Sequence, residues 1–191
     1  MSLQRALELA ERGRGTVEPT HPLVGAVLEL EGDVVGEGWY AGRGTPHAEV
    51  AALATAGPRA RGATLYVSLE PCSHHGATPP CADAVVAAGV SRVVAAVGDP
   101  NPKVSGRGFE RLRQAGIAVE VADVWDARRQ NEAWRVWIAR GRPFVTYKVA
   151  ATLDGRVTVP GSYSAPGQWV IEFSGPVATT LPPAATVPAG C

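Results

Sequence analysis

The sequence predicts an α/β fold, on three observations: five β-rich segments run through the chain, helical segments separate the last four, and the first two join through a short Gly-containing turn. Leu3, Ala6, Leu7 and Ala10 recur at helical spacing and Gly13 and Gly15 end the run, so the chain opens with a short amphipathic helix. Segments 23–30 and 34–40 flank Glu31-Gly32-Asp33 and predict a β-hairpin. From there the pattern alternates: helix 47–56, strand 63–69, a Pro/Cys/His loop, helix 80–88, strand 92–97, loop 99–106, helix 108–115 and strand 117–121. A last helix is expected through Trp125, Trp134 and Trp137, whose rings should pack in the core or against another subunit. Helices between strands act as crossovers, so the sheet should be largely parallel and covered on both faces, with the hairpin antiparallel at one side.

Bulk composition narrows the function. The chain has 191 residues, 46% hydrophobic and 19% charged, with 18 basic residues against 18 acidic ones, enough for one well-buried core and one main domain. No net field and no compact Lys/Arg cluster attracts nucleic acid, so a small, weakly charged substrate is expected. The N-terminal segment carries charges throughout and no stretch approaches a membrane span, so a cytoplasmic location is expected. Three cysteines, at 72, 81 and 191, are too few and too odd a set for a disulfide framework, and metal binding is the better reading for the first two.

The chemistry gathers at two strand-to-helix junctions. Pro46-His47-Ala48-Glu49 opens one predicted helix, and Pro71-Cys72-Ser73-His74-His75-Gly76-Ala77-Thr78-Pro79-Pro80-Cys81 spans the next strand end, loop and helix start. In doubly wound sheets such junctions meet at the carboxyl ends of the strands, where ligands bind. One imidazole and two thiolates, His47, Cys72 and Cys81, make a three-donor set for Zn2+ that leaves a fourth position open, as a catalytic site requires. His47 and Glu49 stand two apart on a first helical turn, so one can reach a metal while the other approaches an attacking water from the side. The reaction such a set supports is hydrolytic deamination: water adds to an amidine-type carbon, Glu49 carries its proton to the exocyclic amine, and ammonia leaves. Competing readings are a structural zinc completed by His74 or His75, a buried histidine beside two core thiols, and a non-catalytic zinc scaffold. An intact Glu49 argues against the scaffold, because a structural site needs no proton carrier.

This is the His-x-Glu then Pro-Cys-x-x-Cys logic of zinc deaminases, with eight residues rather than two between the cysteines. The longer loop, together with Val24-Gly25-Ala26-Val27, Gly62-Ala63-Thr64-Leu65-Tyr66-Val67, Leu69-Glu70, Asp99-Pro100-Asn101-Pro102 and Gly106-Arg107-Gly108, resembles the deaminase half of the bifunctional riboflavin-biosynthesis family, the diaminohydroxyphosphoribosylaminopyrimidine deaminase/reductases. That resemblance covers about residues 6–157. It implies a cytidine-deaminase-like, three-layer α/β/α fold with a mixed five-stranded sheet, zinc ligands at His47, Cys72 and Cys81, and Glu49 as the catalytic residue. It also implies substrate contacts at His21, Tyr40, Ala48, His74, His75, Ala77, Asp99 and Asn101, the last two on the ribose side. A homo-oligomer, in its simplest form a dimer, is expected.

Departures from the family pattern fall on substrate contacts. The family's Asn-Pro-x-Val-Gly stands here as His21-Pro22-Leu23-Val24-Gly25, a histidine is replaced by Tyr40, and a phosphate-binding Lys or Arg by Ala77. Losing such a cation removes a charge-assisted bond of about 1.5–3 kcal/mol, so the expected enzyme is a paralogue with kept chemistry and a rebuilt pocket, the alternative being the riboflavin-pathway deaminase itself without its reductase domain. Three regions are expected: a zinc deaminase domain at 1–141, a segment at 142–156 resembling the start of the family's reductase, and a Pro-rich tail at 157–191 with Glu172 as its single charge. About 35 residues follow that segment, too few for a nucleotide-binding domain, so no reductase activity is expected.

Overall fold

The computed structural model describes residues 2–74, 79–102, 104–145 and 173–174. Helix α1 (Ser2–Glu11) leads into the hairpin of β1 (Gly25–Leu30) and β2 (Asp33–Trp39). There follow α2 (Ala48–Ala56), β3 (Thr64–Val67), α3 (Cys81–Ala88), β4 (Arg92–Ala95), α4 (Arg107–Gln114), β5 (Ala118–Val121), α5 (Trp125–Gln130) and α6 (Glu132–Arg140). The five strands form one sheet in the order β2-β1-β3-β4-β5.

The sheet is mixed and five-stranded, as the resemblance implied, and its antiparallel pairing extends one strand beyond the hairpin. Strand β1 pairs antiparallel with β3 as well as β2, while β3–β4 and β4–β5 are parallel. Four strands therefore point one way and β1 alone opposes them. The connection from β2 through α2 returns the chain past β1, so β3 enters beside the strand that came first.

Side chains alternate across the sheet as a strand period of two requires. Ala26, Leu28, Leu65, Val67, Val93 and Ala95 form one buried face under α2, α3 and α4, and the register sets Ala26 opposite Val67 and Leu65 opposite Val93. On the other face Val27 packs with Ala6 and Leu9 of α1, against Tyr66 and Trp39. A second cluster there joins Leu7 of α1 to Ala127 and Trp134 from the C-terminal helices. The result is three layers, with both sheet faces covered.

Helix α2 lies unusually close to the sheet because both surfaces are small. It presents Ala48, Ala52 and Ala56 to the core, and β2 offers Gly36 and Gly38 beneath it. A Cβ at Gly38 would collide with the Ala48 carbonyl oxygen and stand 2.5 Å from the Ala52 backbone nitrogen. Gly38→Ala is accordingly expected to destabilise the fold by about 1–3 kcal/mol through overpacking. A urea midpoint equal to that of the unsubstituted protein would show that α2 is not seated so tightly.

Two expectations are corrected. The last helix is broken at Asn131 into α5 and α6, because the Asn131 side chain leaves the helical pattern to bond residue 23: its Oδ1 accepts the Leu23 N–H at 2.8 Å and its Nδ2 donates to the Leu23 carbonyl at 2.9 Å. Trp134 is buried as expected, whereas Trp125, the first residue of α5, is 70% exposed, which corrects the expectation of a core position and leaves that of packing against another subunit as it stood. Of the segment 142–156, residues 142–145 are described, and Phe144–Val145 (β6) pairs antiparallel with Phe173–Ser174 (β7). The rest of that segment and of the expected tail lies outside the described residues. Among the described residues no helix is long and apolar enough to cross a membrane.

Candidate metal and catalytic site

The strand directions bring the site together. Strands β2, β3 and β4 all end at one edge of the sheet, and because β1 runs the other way its beginning lies at that edge too. The segments leading to α2, α3 and α4, together with residues 21–24, therefore meet there. His47 is the residue before the first turn of α2, in extended conformation (φ −63°, ψ 157°), and Cys81 is the first residue of α3.

His47, Cys72 and Cys81 converge so that their ligand atoms all lie within 4.8 Å of one another. His47 Nδ1 is 3.1 Å from Cys81 Sγ and 3.7 Å from Cys72 Sγ. The Cys81 backbone N–H donates to Cys72 Sγ at 3.2 Å, so the start of α3 points a donor at the sulfur. The Cys72 thiol is lowered well below the ordinary cysteine range, first by its hydrogen bond with Cys81, with His47 adding to the effect. Cys81 is raised in turn, the two sulfurs sharing a proton. His47 is raised by its bond to Cys72. A thiolate, a second buried sulfur and an imidazole nitrogen are a donor set suited to zinc. Among the described residues the group holds three donors, the number that a catalytic zinc site takes from the protein, and His75 lies outside the described residues.

Glu49 lies on the first turn of α2 and is 3% exposed. Burial pushes its carboxyl up to about 7, the charge on Cys72 adding to the shift, and it stands within hydrogen-bonding reach of Cys81. Glu49 is thus a carboxyl buried beside the three candidate donors and not itself one of them.

The remaining residues singled out in the sequence fall into groups. Tyr40 is buried and packs edge-on against the His47 ring with centroids 5.6 Å apart, and His21 tilts against Tyr40 at 6.0 Å. His21 is partly exposed and its Nδ1 lies 3.0 Å from Thr20 Oγ1. Ala48 is fully buried, its methyl part of the core under α2. Asp99 is buried, accepts the Asn101 N–H at 2.7 Å, and has its carboxyl pushed up to about 6, mainly by burial. His74 is exposed, and its charge acts on Asp99. His75 and Ala77 lie outside the described residues.

Two residues given no individual role in the sequence reading matter to the frame. Glu70, noted only within a motif, is buried three residues past the end of β3 and accepts four backbone N–H groups. A carboxylate directly before Pro71-Cys72 in an apolar strand end was the available signal, because such a charge is costly without partners. Asn131 fixes Leu23 and with it the approach of His21; its signal was a polar residue interrupting a helical pattern.

Comparison with known proteins agrees with this geometry. The family model of the cytidine and deoxycytidylate deaminase zinc-binding region matches residues 1–97. The riboflavin biosynthesis protein RibD of Escherichia coli K12 is 50% identical over 169 residues, 88% of this chain and 45% of that protein. Acinetobacter baumannii RibD superposes with a TM-score of 0.77 at 47% identity, covering 81% of this chain and 44% of the other. A diaminohydroxyphosphoribosylaminopyrimidine deaminase/5-amino-6-(5-phosphoribosylamino)uracil reductase of Thermotoga maritima gives 0.75 at 43% identity, covering 82% and 45%. The chain thus spans less than half the length of the curated relatives it matches.

Proposed function

The chain belongs to the cytidine and deoxycytidylate deaminase family, and from that premise we propose that it is a zinc-dependent hydrolytic deaminase replacing the exocyclic amine of a pyrimidine-like heterocycle by a carbonyl. The observation that carries this reading is the meeting of His47, Cys72 and Cys81 at one point with buried Glu49 beside them. Zinc, when bound by these three side chains, supplies the Lewis acidity that makes water a nucleophile at neutral pH. Glu49 takes a proton from the attacking water and delivers it to the departing nitrogen, so that water is consumed and ammonia released. Tyr40, edge-on to His47, keeps that ring turned toward the two sulfurs and walls the pocket on the side of His21.

The substrate is proposed to be an amino-pyrimidine or related ring without a phosphate. Tyr40 adjoins His47 and His21 adjoins Tyr40, and Ala77 offers no charge to a phosphate. A second reading is favoured by the 50% identity to a riboflavin biosynthesis protein: deamination of a phosphoribosylated diaminopyrimidine. Ammonia release from zinc-loaded protein over amino-pyrimidines, purines and pteridines, with and without ribosyl phosphate, separates the two. Silence across the whole panel would overturn the deaminase reading. Asp99 and Asn101 are proposed to bind the ribose side where one is present. We further propose a cytoplasmic homodimer that takes no nucleic acid and no membrane as partner, the oligomer to be checked by light scattering.

Substrate choice gives a graded test. Ala77→Lys, alone or with His21→Asn and Tyr40→His, is expected to raise the specificity constant for the phosphoribosyl substrate about tenfold, which corresponds to roughly 1.4 kcal/mol of added transition-state binding. An unsubstituted protein that already deaminates that substrate efficiently, and is indifferent to Ala77→Lys, would replace the rebuilt-pocket reading with the riboflavin one.

A further inference from the structure

Glu70 stands three residues past the end of β3, two residues before Cys72, and is 4% exposed. All four of its hydrogen-bonding partners come from one segment across the edge of the sheet. Oε2 accepts the N–H of Asp99 at 3.2 Å and of Gly106 at 3.0 Å, and Oε1 accepts those of Gly108 at 3.0 Å and Phe109 at 3.4 Å. The carboxylate therefore ties down both ends of the loop 99–106 and the first turn of α4. That helix has Gly106 before its first turn, in left-handed conformation (φ 80°) and with no side-chain cap of its own. Glu70 serves from the segment after β3, distant in sequence, as the acceptor a local Ser or Asp usually provides.

The same contact fixes the metal side. A Cβ on Gly108 would collide with the carbonyl oxygen of Pro71, so the first turn of α4 rests directly on the peptide that leads into Cys72. At the other end of the loop Asp99 folds back on the Asn101 N–H at 2.7 Å. One buried carboxylate thus sets the loop carrying Asp99 and Asn101 against the segment carrying Cys72 and His74. A residue serving the core alone would be apolar here, as its neighbour Leu69 is.

We propose that Glu70 is a positioning residue for substrate binding: it acts through the Asp99–Asn101 loop, placing that loop relative to the metal ligand Cys72. This rests on the deaminase reading for its kinetic consequence but not for its structural one. The test uses the zinc-loaded full chain with Glu70→Gln, which keeps the volume and gives up half of the acceptor capacity. The expected result is unchanged zinc content, a KM raised about tenfold and kcat changed by less than about threefold, the pattern of lost binding rather than lost chemistry. Asp99→Asn should raise KM in the same sense, and the double substitution should cost less than the two singles added, since both act through one loop. Independently of any substrate, the amides of Asp99, Gly106, Gly108 and Phe109 should exchange about tenfold faster in Glu70→Gln, while those of Val93 and Val94 in β4 stay as protected as before. If glutamine prevents folding, the same amides and the same KM are read in Glu70→Asp, whose shorter arm cannot span all four donors. Unchanged protection of the four amides, strict additivity with Asp99→Asn, or a uniform loss of zinc and stability with normal KM in the loaded fraction would each overturn the proposal. An unsubstituted protein with no deaminase activity would fail the functional reading separately, and amide exchange would still decide the role of Glu70.

Discussion

Glu49→Gln is expected to yield a folded, zinc-loaded protein whose kcat has fallen by about 10²–10⁴-fold, the usual contribution of a positioned proton carrier. Glutamine matches glutamate in shape and keeps a carbonyl acceptor, so the first turn of α2 and its close seat on Gly36 and Gly38 are undisturbed. Glu49 is not among the three converging donors, so metal content should stay near one zinc per chain. What the amide cannot do is accept a proton and hand it on. Metal analysis alongside steady-state ammonia release checks both halves, and turnover within about tenfold of the unsubstituted protein would rule out general acid–base catalysis by this residue.

Cys81→Ser is expected to do the reverse, removing the metal first and the activity with it. Cys81 is fully buried, opens α3, and lies 3.1 Å from His47 Nδ1. A serine hydroxyl is harder, smaller and not ionised at neutral pH, so one of three donors disappears and with it the softness that suits zinc. Zinc content should fall to less than about one-tenth per chain, and the melting temperature of the variant should no longer respond to a chelator, because the stabilisation that bound metal gives by mass action is gone. An unsubstituted protein that is active and well folded without metal would contradict the mechanism at its root. Read together, the two variants separate holding the metal from moving the proton.

Much of this site was legible in the sequence because its chemistry is written locally. The His47-Ala48-Glu49 spacing on a helix start, and two cysteines at a strand end and a helix start, specify donors and directions whatever the rest of the chain does. The alternation of β-rich and helical segments likewise located all five strands of the sheet to within a few residues. What escaped depends on partners far away in sequence. The pairing of β1 with β3 is a choice of neighbour and leaves no mark in the local pattern of either strand. The break at Asn131 comes from bonds to Leu23, 108 residues away. Glu70 stands out in the sequence as a charge at an apolar strand end, but its partners appear only when the loop 99–106 folds over it, and the closeness of α2 to the sheet is visible only once Gly36 and Gly38 are known to lie beneath Ala52. His75 and Ala77, which bear on substrate choice, remain sequence expectations.

The spacing of the three donors also has a bearing on the order in which the molecule assembles. Cys72 and Cys81 are nine residues apart, close enough to share an ion in an extended chain, whereas His47 is 25 residues from the nearer of them. Between His47 and Cys72 lie α2 and β3, and β3 takes its place only by inserting beside β1. The third donor therefore arrives after the central strand pairing, and a newly made chain can capture zinc through two thiols before it has a fold. Metal held in that way stabilises the unfolded ensemble as well as the native one, so zinc should raise the melting temperature by less than its affinity for the finished site implies. Completion of the coordination, seen as a change in the absorption of a cobalt substitute, would then mark a late step of folding rather than its beginning.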